Sequence, residues 1–254
     1  MRVGIKQFSD QFEIYKDDLL KYMDKYDYIE LYVYPEGMVY LKKWADLKNK
    51  YGLNFTIHAP HFSQHVNLAD ETYFENNKKA YKTVNTFAQE LDAEYTVVHG
   101  GMDGSVEELI RQISILKPYK MRIENKPYVA PRKPDTMVCR GAAVEEIKYI
   151  MNNYDCGFNL DIGHAFCSAV SQNINQINYL KQFLELKPKS YHISDGEYDN
   201  RIDIHYHLGD GDYDWSNIFP LLDKNSNWTL ETIKKNDNEG LSRVVKDIEL
   251  MKTF

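Results

Sequence analysis

The sequence predicts an α/β fold: a single-domain (β/α)8 TIM barrel spanning residues 1–254. Three observations carry this. Strand-like and helix-like stretches alternate from end to end, which calls for parallel strands joined by right-handed crossovers. Eight such units fit into 254 residues, an ordinary barrel length. No G-x-G-x-x-G follows the first strand, which weakens the alternative of a doubly wound nucleotide-binding sheet.

The elements follow in order. RVGIKQF (2–8) is a short mixed strand, and DDLLKYMDKY (17–26) has helical spacing. YIELYVYP (28–35) is β-branched and aromatic and stops at Pro35. MVYLKKWADLKNKYG reads as a helix ending at Gly52, a residue suited to the left-handed C-terminal position. NFTIHAP is the third strand, followed by a long polar helix over 70–92. EYTVVHGG is the fourth strand. SVEELIRQISILKP then opens with a capping box of Ser105 and Glu108 and stops at Pro118. KMRIENKP is the fifth strand, and YVAPRKPDTMVCRG (128–141) reads as a long loop before the helix AAVEEIKYIMNNY. CGFNLDIGHAF is the sixth strand and NINQINYLKQFLELKP its helix. KSYHISDG is the seventh strand, and WSNIFPLLD is a short helix interrupted by Pro220. NWTLETIK is the eighth strand, and residues 239–252 form the last helix.

Composition bounds the function. Hydrophobic residues at 43% supply a sizeable core. The formal charge of −7 argues against broad electrostatic attraction to nucleic-acid phosphates, though not against a local positive site made by metal ions. Cys139, Cys156 and Cys167 show no CxxC spacing, so a thiolate zinc site is not expected and a reducing, cytoplasmic setting is. No stretch of ~18 apolar residues suggests a membrane span, and no protein partner is inferred.

The eight histidines, at 58, 61, 65, 99, 164, 192, 205 and 207, all fall at or just beyond predicted strand ends, and none in a predicted helix. In a parallel barrel those ends form the face that carries active sites. Glu124, Asp161 and Glu231 stand at equivalent places, and the series 58, 99, 124, 161, 192 and 231 advances by about one βα repeat at each step. In RIDIHYHLGDGDYDW (201–215), Asp203, His205 and His207 alternate with Ile204 and Tyr206. An extended backbone would put the three polar side chains on one side. Imidazole and carboxylate without thiolate form a ligand set for zinc, manganese or related divalent ions. Gathering His58, His99, Glu124, Asp161, His164, His192, Asp203, His205 and Glu231 offers more ligands than one four-coordinate ion needs. Carboxylates packed together without cations would also raise one another's pKa. Each residue has a plainer reading: Glu124 as a partner of Arg122 or Lys126, Asp161 as a helix cap. His61 and His65 are open between a substrate groove and ordinary loop, and His207 reads as support for the ligands.

IHAPHFSQHVNLA (57–69), VVHGG (97–101), IENKP (123–127), LDIGHAF (160–166), YHISD (191–195), DIHYHLGDGDYDW (203–215) and TLET (229–232) occur in the order found in a known family. Over residues 54–232 the chain resembles the endonuclease IV (AP endonuclease family 2) DNA-repair enzymes, within the xylose-isomerase-like TIM barrel superfamily. The resemblance implies hydrolysis of DNA 5′ to abasic sites by a cluster of up to three Zn2+ ions. His58 and His99 would hold the first ion, bridged by Glu124 to a second held with Asp161, His192 and Glu231. His164, Asp203 and His205 would hold the third. Glu231 and Glu124 would be the catalytic carboxylates, with Glu231 orienting or deprotonating the attacking water.

The same superfamily contains sugar isomerases and epimerases that resemble this chain at Glu124, Asp161, His192 and Glu231. There a single Mn2+, Mg2+ or Co2+ is held, two glutamates shuttle a proton, and the partner is a small sugar or sugar phosphate. The acidic balance favours that alternative. So does His61-Phe62, which stands where the endonucleases carry an aromatic–aliphatic pair that enters DNA.

Overall fold

The computed structural model describes residues 1–130, 137–232 and 240–254. Eight strands close into one parallel barrel in chain order: β1 (Arg2–Phe8), β2 (Tyr28–Tyr32), β3 (Phe55–His58), β4 (Thr96–His99), β5 (Met121–Glu124), β6 (Gly157–Asp161), β7 (Ser190–Ile193) and β8 (Asn227–Leu230). β8 pairs back onto β1 from Arg2↔Asn227 to Ile5↔Leu230. The expected fold class is therefore the observed one.

Around the barrel run α1 (Phe12–Lys21), α2 (Leu41–Tyr51), α3 (Phe74–Glu90), α4 (Val106–Leu116), α5 (Val144–Asn153), α6 (Ile162–Ser171), α7 (Gln176–Leu184), the short α8 (Trp215–Ile218) and α9 (Leu241–Met251). α2 ends where expected, with Gly52 left-handed at φ 68°. α4 starts on Ser105, whose side chain accepts from the Glu108 amide, but the capping box is only half formed. Glu108 turns instead to Arg111 and Gln112.

Two expectations need correction. The predicted sixth strand stops at Asp161, and the chain then enters α6, so His164 lies in the first turn of a helix. Asp161 caps that helix, accepting from the His164 amide at 2.7 Å. The run IGHAF is buried within α6, a helix that packs on α7 and on the strands β6 and β7. The stretch around Asp203 is also not extended: His205 sits at φ 58°, which breaks the alternation. Parts of three predicted segments, at 131–136, 233–234 and 239, lie outside the described residues.

Strand alternation sorts the side chains. Ile29, Leu31, Ile57, Val98, Ile123, Leu160, Ile193 and Leu230 join the core that includes Leu19, Trp44, Val84 and Phe87 from the helices. Residues of the other parity share register across the barrel interior: Lys6↔Glu30, Tyr32↔His58, His99↔Glu124 and Asp161↔His192. A polar set is thereby stacked inside an apolar shell. Near its floor, a Cβ on Gly4 would run into the Tyr28 ring. The glycine leaves that ring room for its hydroxyl to bond Thr229 Oγ1 at 2.8 Å.

The segment after β7 is tied down by one buried carboxylate. Asp195 accepts from the amides of Gly196 (2.9 Å), Gly209 (2.7 Å) and Tyr213 (3.3 Å). Its backbone also exchanges hydrogen bonds with Tyr206. Asp247 on α9 holds the same segment from below, through His207 Nδ1 at 2.5 Å and the Leu208 amide at 3.1 Å. Replacing Asp195 with Ala leaves buried amides unpaired, so it should lower unfolding free energy by about 3 kcal/mol. Urea denaturation checks this, and a loss under about 0.5 kcal/mol would contradict the anchoring role.

Candidate metal centre

The strand ends bring the candidate residues together at one mouth of the barrel. His58, Glu124 and His192 are wholly buried, while Asp161, His164, Glu231 and His99 are nearly so. Glu124 lies at the centre: its carboxylate is 3.1 Å from His99 Nε2, 3.0 Å from His164 Nδ1 and 3.2 Å from His192 Nδ1. Neither Arg122 nor Lys126 pairs with it among the described residues.

Four overlapping groups of possible ligands form among the described residues, one of them made by Glu30, His58, His192 and Glu231. The donor atoms of His58, His99 and Glu124 lie within 4.8 Å of one another, as do those of Glu124, Asp161 and His192. Glu231 joins the latter group through His192 Nδ1 at 2.7 Å. Asp161, His164 and His205 form the last. Asp203 attaches to it through His164 Nε2 at 3.3 Å and a direct contact with His205 Nε2. Gly163 permits this approach, since a Cβ there would stand 2.8 Å from Asp203 Oδ1. All nine expected positions thus converge. The other three histidines stand apart in different ways. His61 stacks on His99 with ring centroids 4.9 Å apart. His65 is an exposed left-handed cap residue. His207 faces Asp247.

Two buried charges in this network have no counterpart in the sequence reading. Glu30 on β2 accepts from His192 Nε2 at 3.1 Å and from Thr229 Oγ1 at 3.3 Å. That contact leaves His192 Nδ1 as the ring nitrogen turned toward Glu124 and Asp161. A carboxylate behind an imidazole is how ligating histidines are held in orientation. Lys6 on β1 is buried and pairs directly with Glu231. The available signal was a charged residue inside each strand, Glu30 in YIELY and Lys6 in RVGIKQF.

The electrostatics fit a cation. Burial opposes charge on His164, but Asp161 and Asp203 outweigh it and lift the imidazole to about 10. Burial likewise pushes Asp161 up, to about 6, with the like charge of Asp203 adding to it. Burial holds His99 well below the ordinary histidine value. Glu231 goes down despite burial, because Lys6 and His192 face it. The donor set passes a further test. His58 Nε2, both His99 ring nitrogens, Glu124 Oε1, Asp161 Oδ2, His192 Nδ1 and Glu231 Oε2 are buried without a hydrogen-bond partner. Native interiors rarely leave such atoms orphaned. Divalent ions would satisfy them with the nitrogen and oxygen donors such ions prefer.

Beside these groups opens a cleft of about 630 Å³. His61, Phe62, Lys126, Ile202, Asp203 and Glu231 are among the residues lining it.

The family model described as xylose isomerase-like TIM barrel matches residues 18–254, and the chain belongs to that family. A D-tagatose 3-epimerase-like protein superposes with a TM-score of 0.74 at 18% identity, covering 100% of this chain and 96% of that one. Endonuclease IV from Thermus thermophilus gives 0.71 at 18% identity, with coverages of 100% and 98%. A 3-keto-D-glucoside 4-epimerase from E. coli gives 0.66 at 14% identity, covering 100% of each chain. No curated protein matches. An endonuclease and two epimerase-type proteins superpose comparably, so these likenesses establish the fold and leave the reaction to the site. No helix among the described residues is long and apolar enough to cross a membrane.

Zinc should raise the melting temperature and EDTA should reverse the rise. At a free concentration about 100 times Kd, the stabilisation is about 2.7 kcal/mol. Because His164 and His192 hold protons tightly without metal, binding must displace them. Apparent zinc affinity should therefore increase from pH 6 to pH 8, with proton release measured by calorimetry in two buffers. A pH-independent affinity would contradict imidazole ligation.

Proposed function

We propose that the chain is a metal-dependent phosphodiesterase that hydrolyses DNA on the 5′ side of abasic sites. The observation carrying this reading is the presence of outer ligand groups, His58 with His99 and His164 with Asp203 and His205, around the inner four residues. Isomerisation at one ion has no use for so many donors, whereas in-line displacement at phosphorus gains from several.

On this reading His58, His99 and Glu124 hold one ion, and Glu124, Asp161, His192 and Glu231 a second. His164, Asp203 and His205 hold a third. Zinc ions bound there would supply Lewis acidity and make water a nucleophile near neutral pH. The residues do the rest. Glu231 keeps one oxygen on Lys6 and turns the other toward the cluster, where it orients the attacking water. With its pKa held low, it acts as a hydrogen-bond acceptor more than as a reservoir for the proton. Glu30 fixes His192 and so fixes the inner wall of the site. His61 and Phe62 form the cleft wall against which the substrate lies.

A second reading, a sugar or sugar-phosphate isomerase or epimerase, has two observations in its favour. The cleft of about 630 Å³ is of a size that suits a small molecule. Lys6 already neutralises part of Glu231, which reduces the number of cations the mouth requires. In that reading one Mn2+, Mg2+ or Co2+ is held by the inner four residues, and Glu124 and Glu231 move the substrate proton.

The deciding experiment is nicking of a duplex containing one abasic site, with and without chelator. Zinc-replete protein should cleave, and chelation should stop it. Glu231→Gln should lose about a hundredfold or more in rate while keeping its fold by circular dichroism. Asp203→Ala should lower bound zinc by about one ion per chain. Absence of cleavage by protein holding a single ion would replace this reading with the isomerase one.

A further inference from the structure

Lys126 carries a buried positive charge that no ligand group uses. It follows β5 and is 6% exposed, yet it lines the cleft. Its backbone is pinned, with the amide donating to Gly141 O at 3.1 Å and Pro127 restricting it to extended conformations. Its ammonium stands 3.4 Å from His164 Nε2, and no carboxylate lies within ion-pair distance of it among the described residues. The other buried lysine, Lys6, is neutralised by Glu231. An ammonium has three donors, and burying it with one nitrogen neighbour leaves most of its hydration unreplaced. Such a charge is matched only by something that enters from the cleft.

We infer that Lys126 is an anion-binding residue that takes a phosphate oxygen of the substrate. His164 Nε2 also faces Asp203, so Lys126 adjoins the outermost ligand group. A phosphate oxygen between that group and the ammonium would be held from two sides, which fixes the reacting phosphorus at the inner end of the cleft. The surface around the cleft need not be basic for this, because one desolvated cation with charge-assisted bonds replaces a diffuse positive field. The identity of the phosphate rests on the proposed hydrolysis. The presence of an anion subsite at Lys126 does not.

The test uses this chain loaded with zinc and inorganic phosphate as the probe, with metal content measured for every variant. Lys126→Met should weaken phosphate binding by about tenfold to a hundredfold with metal content unchanged. Lys126→Arg should remain within about threefold of the wild type. Lys126→Gln serves in place of the Met variant should the latter not fold. Wild-type phosphate affinity in Lys126→Met or Lys126→Gln would overturn the inference. So would a loss that merely tracks lost zinc, or no phosphate binding by the wild type. Two further ligands identify the source: a duplex with a tetrahydrofuran abasic analogue, and fructose 6-phosphate. A Lys126-dependent loss with the duplex supports a DNA phosphodiester. The same loss with the sugar phosphate alone retains the anion subsite while removing the nuclease reading.

Discussion

Five carboxylates, Glu30, Glu124, Asp161, Asp203 and Glu231, are crowded out of water at one end of this barrel. Each pair of like charges 4 Å apart costs about 4 kcal/mol at an effective dielectric of 20. The arrangement needs positive charge among the carboxylates. Lys6 supplies one such charge and protonated histidines supply others, but the orphaned donor atoms show that the internal supply does not close the hydrogen bonding. Those donor atoms could take a divalent ion from outside the chain.

The barrel can hold this arrangement because its two faces have separate jobs. Apolar residues of one strand parity lock the sheet to the helices, so the interior parity is free to be polar. Below the candidate ligands lies a supporting layer, not a second core. Asn159 donates to Glu124, Ser190 bonds Asn159, and Thr229 and Glu30 stand under His192. The loops add what the strands cannot. Asp195 and Asp247 fold the segment after β7 back over the mouth, which carries Asp203 and His205 into place. Stability and site geometry are therefore coupled through side chains that touch no proposed ligand atom.

Much of this was legible in the chain. Eight alternating units implied the closed parallel barrel, and polar residues at successive strand ends implied one shared mouth. What escaped the sequence did so for physical reasons. Glu30 lies between Ile29 and Leu31 and Lys6 between Ile5 and Gln7, and a linear pattern does not show which parity faces the barrel axis. His164 was read as a strand end because the residues around it in IGHAF carry no polar side chain. A fully buried helix and a buried strand share that signature. The turn at His205 needed a left-handed residue other than glycine, which no local motif announced. The family match confirms the superfamily, while the choice between nuclease and isomerase depends on how many of the converged donors take an ion.

The direct measurement is anomalous X-ray scattering at the zinc edge from crystals grown with zinc. The account predicts peaks inside the barrel mouth, at about 2.0–2.2 Å from nitrogen and oxygen atoms of His58, His99, Glu124, Asp161 and His192. A zinc-replete crystal with no peak among those residues, their side chains neutralised by Lys6 and protonated histidines alone, would contradict it.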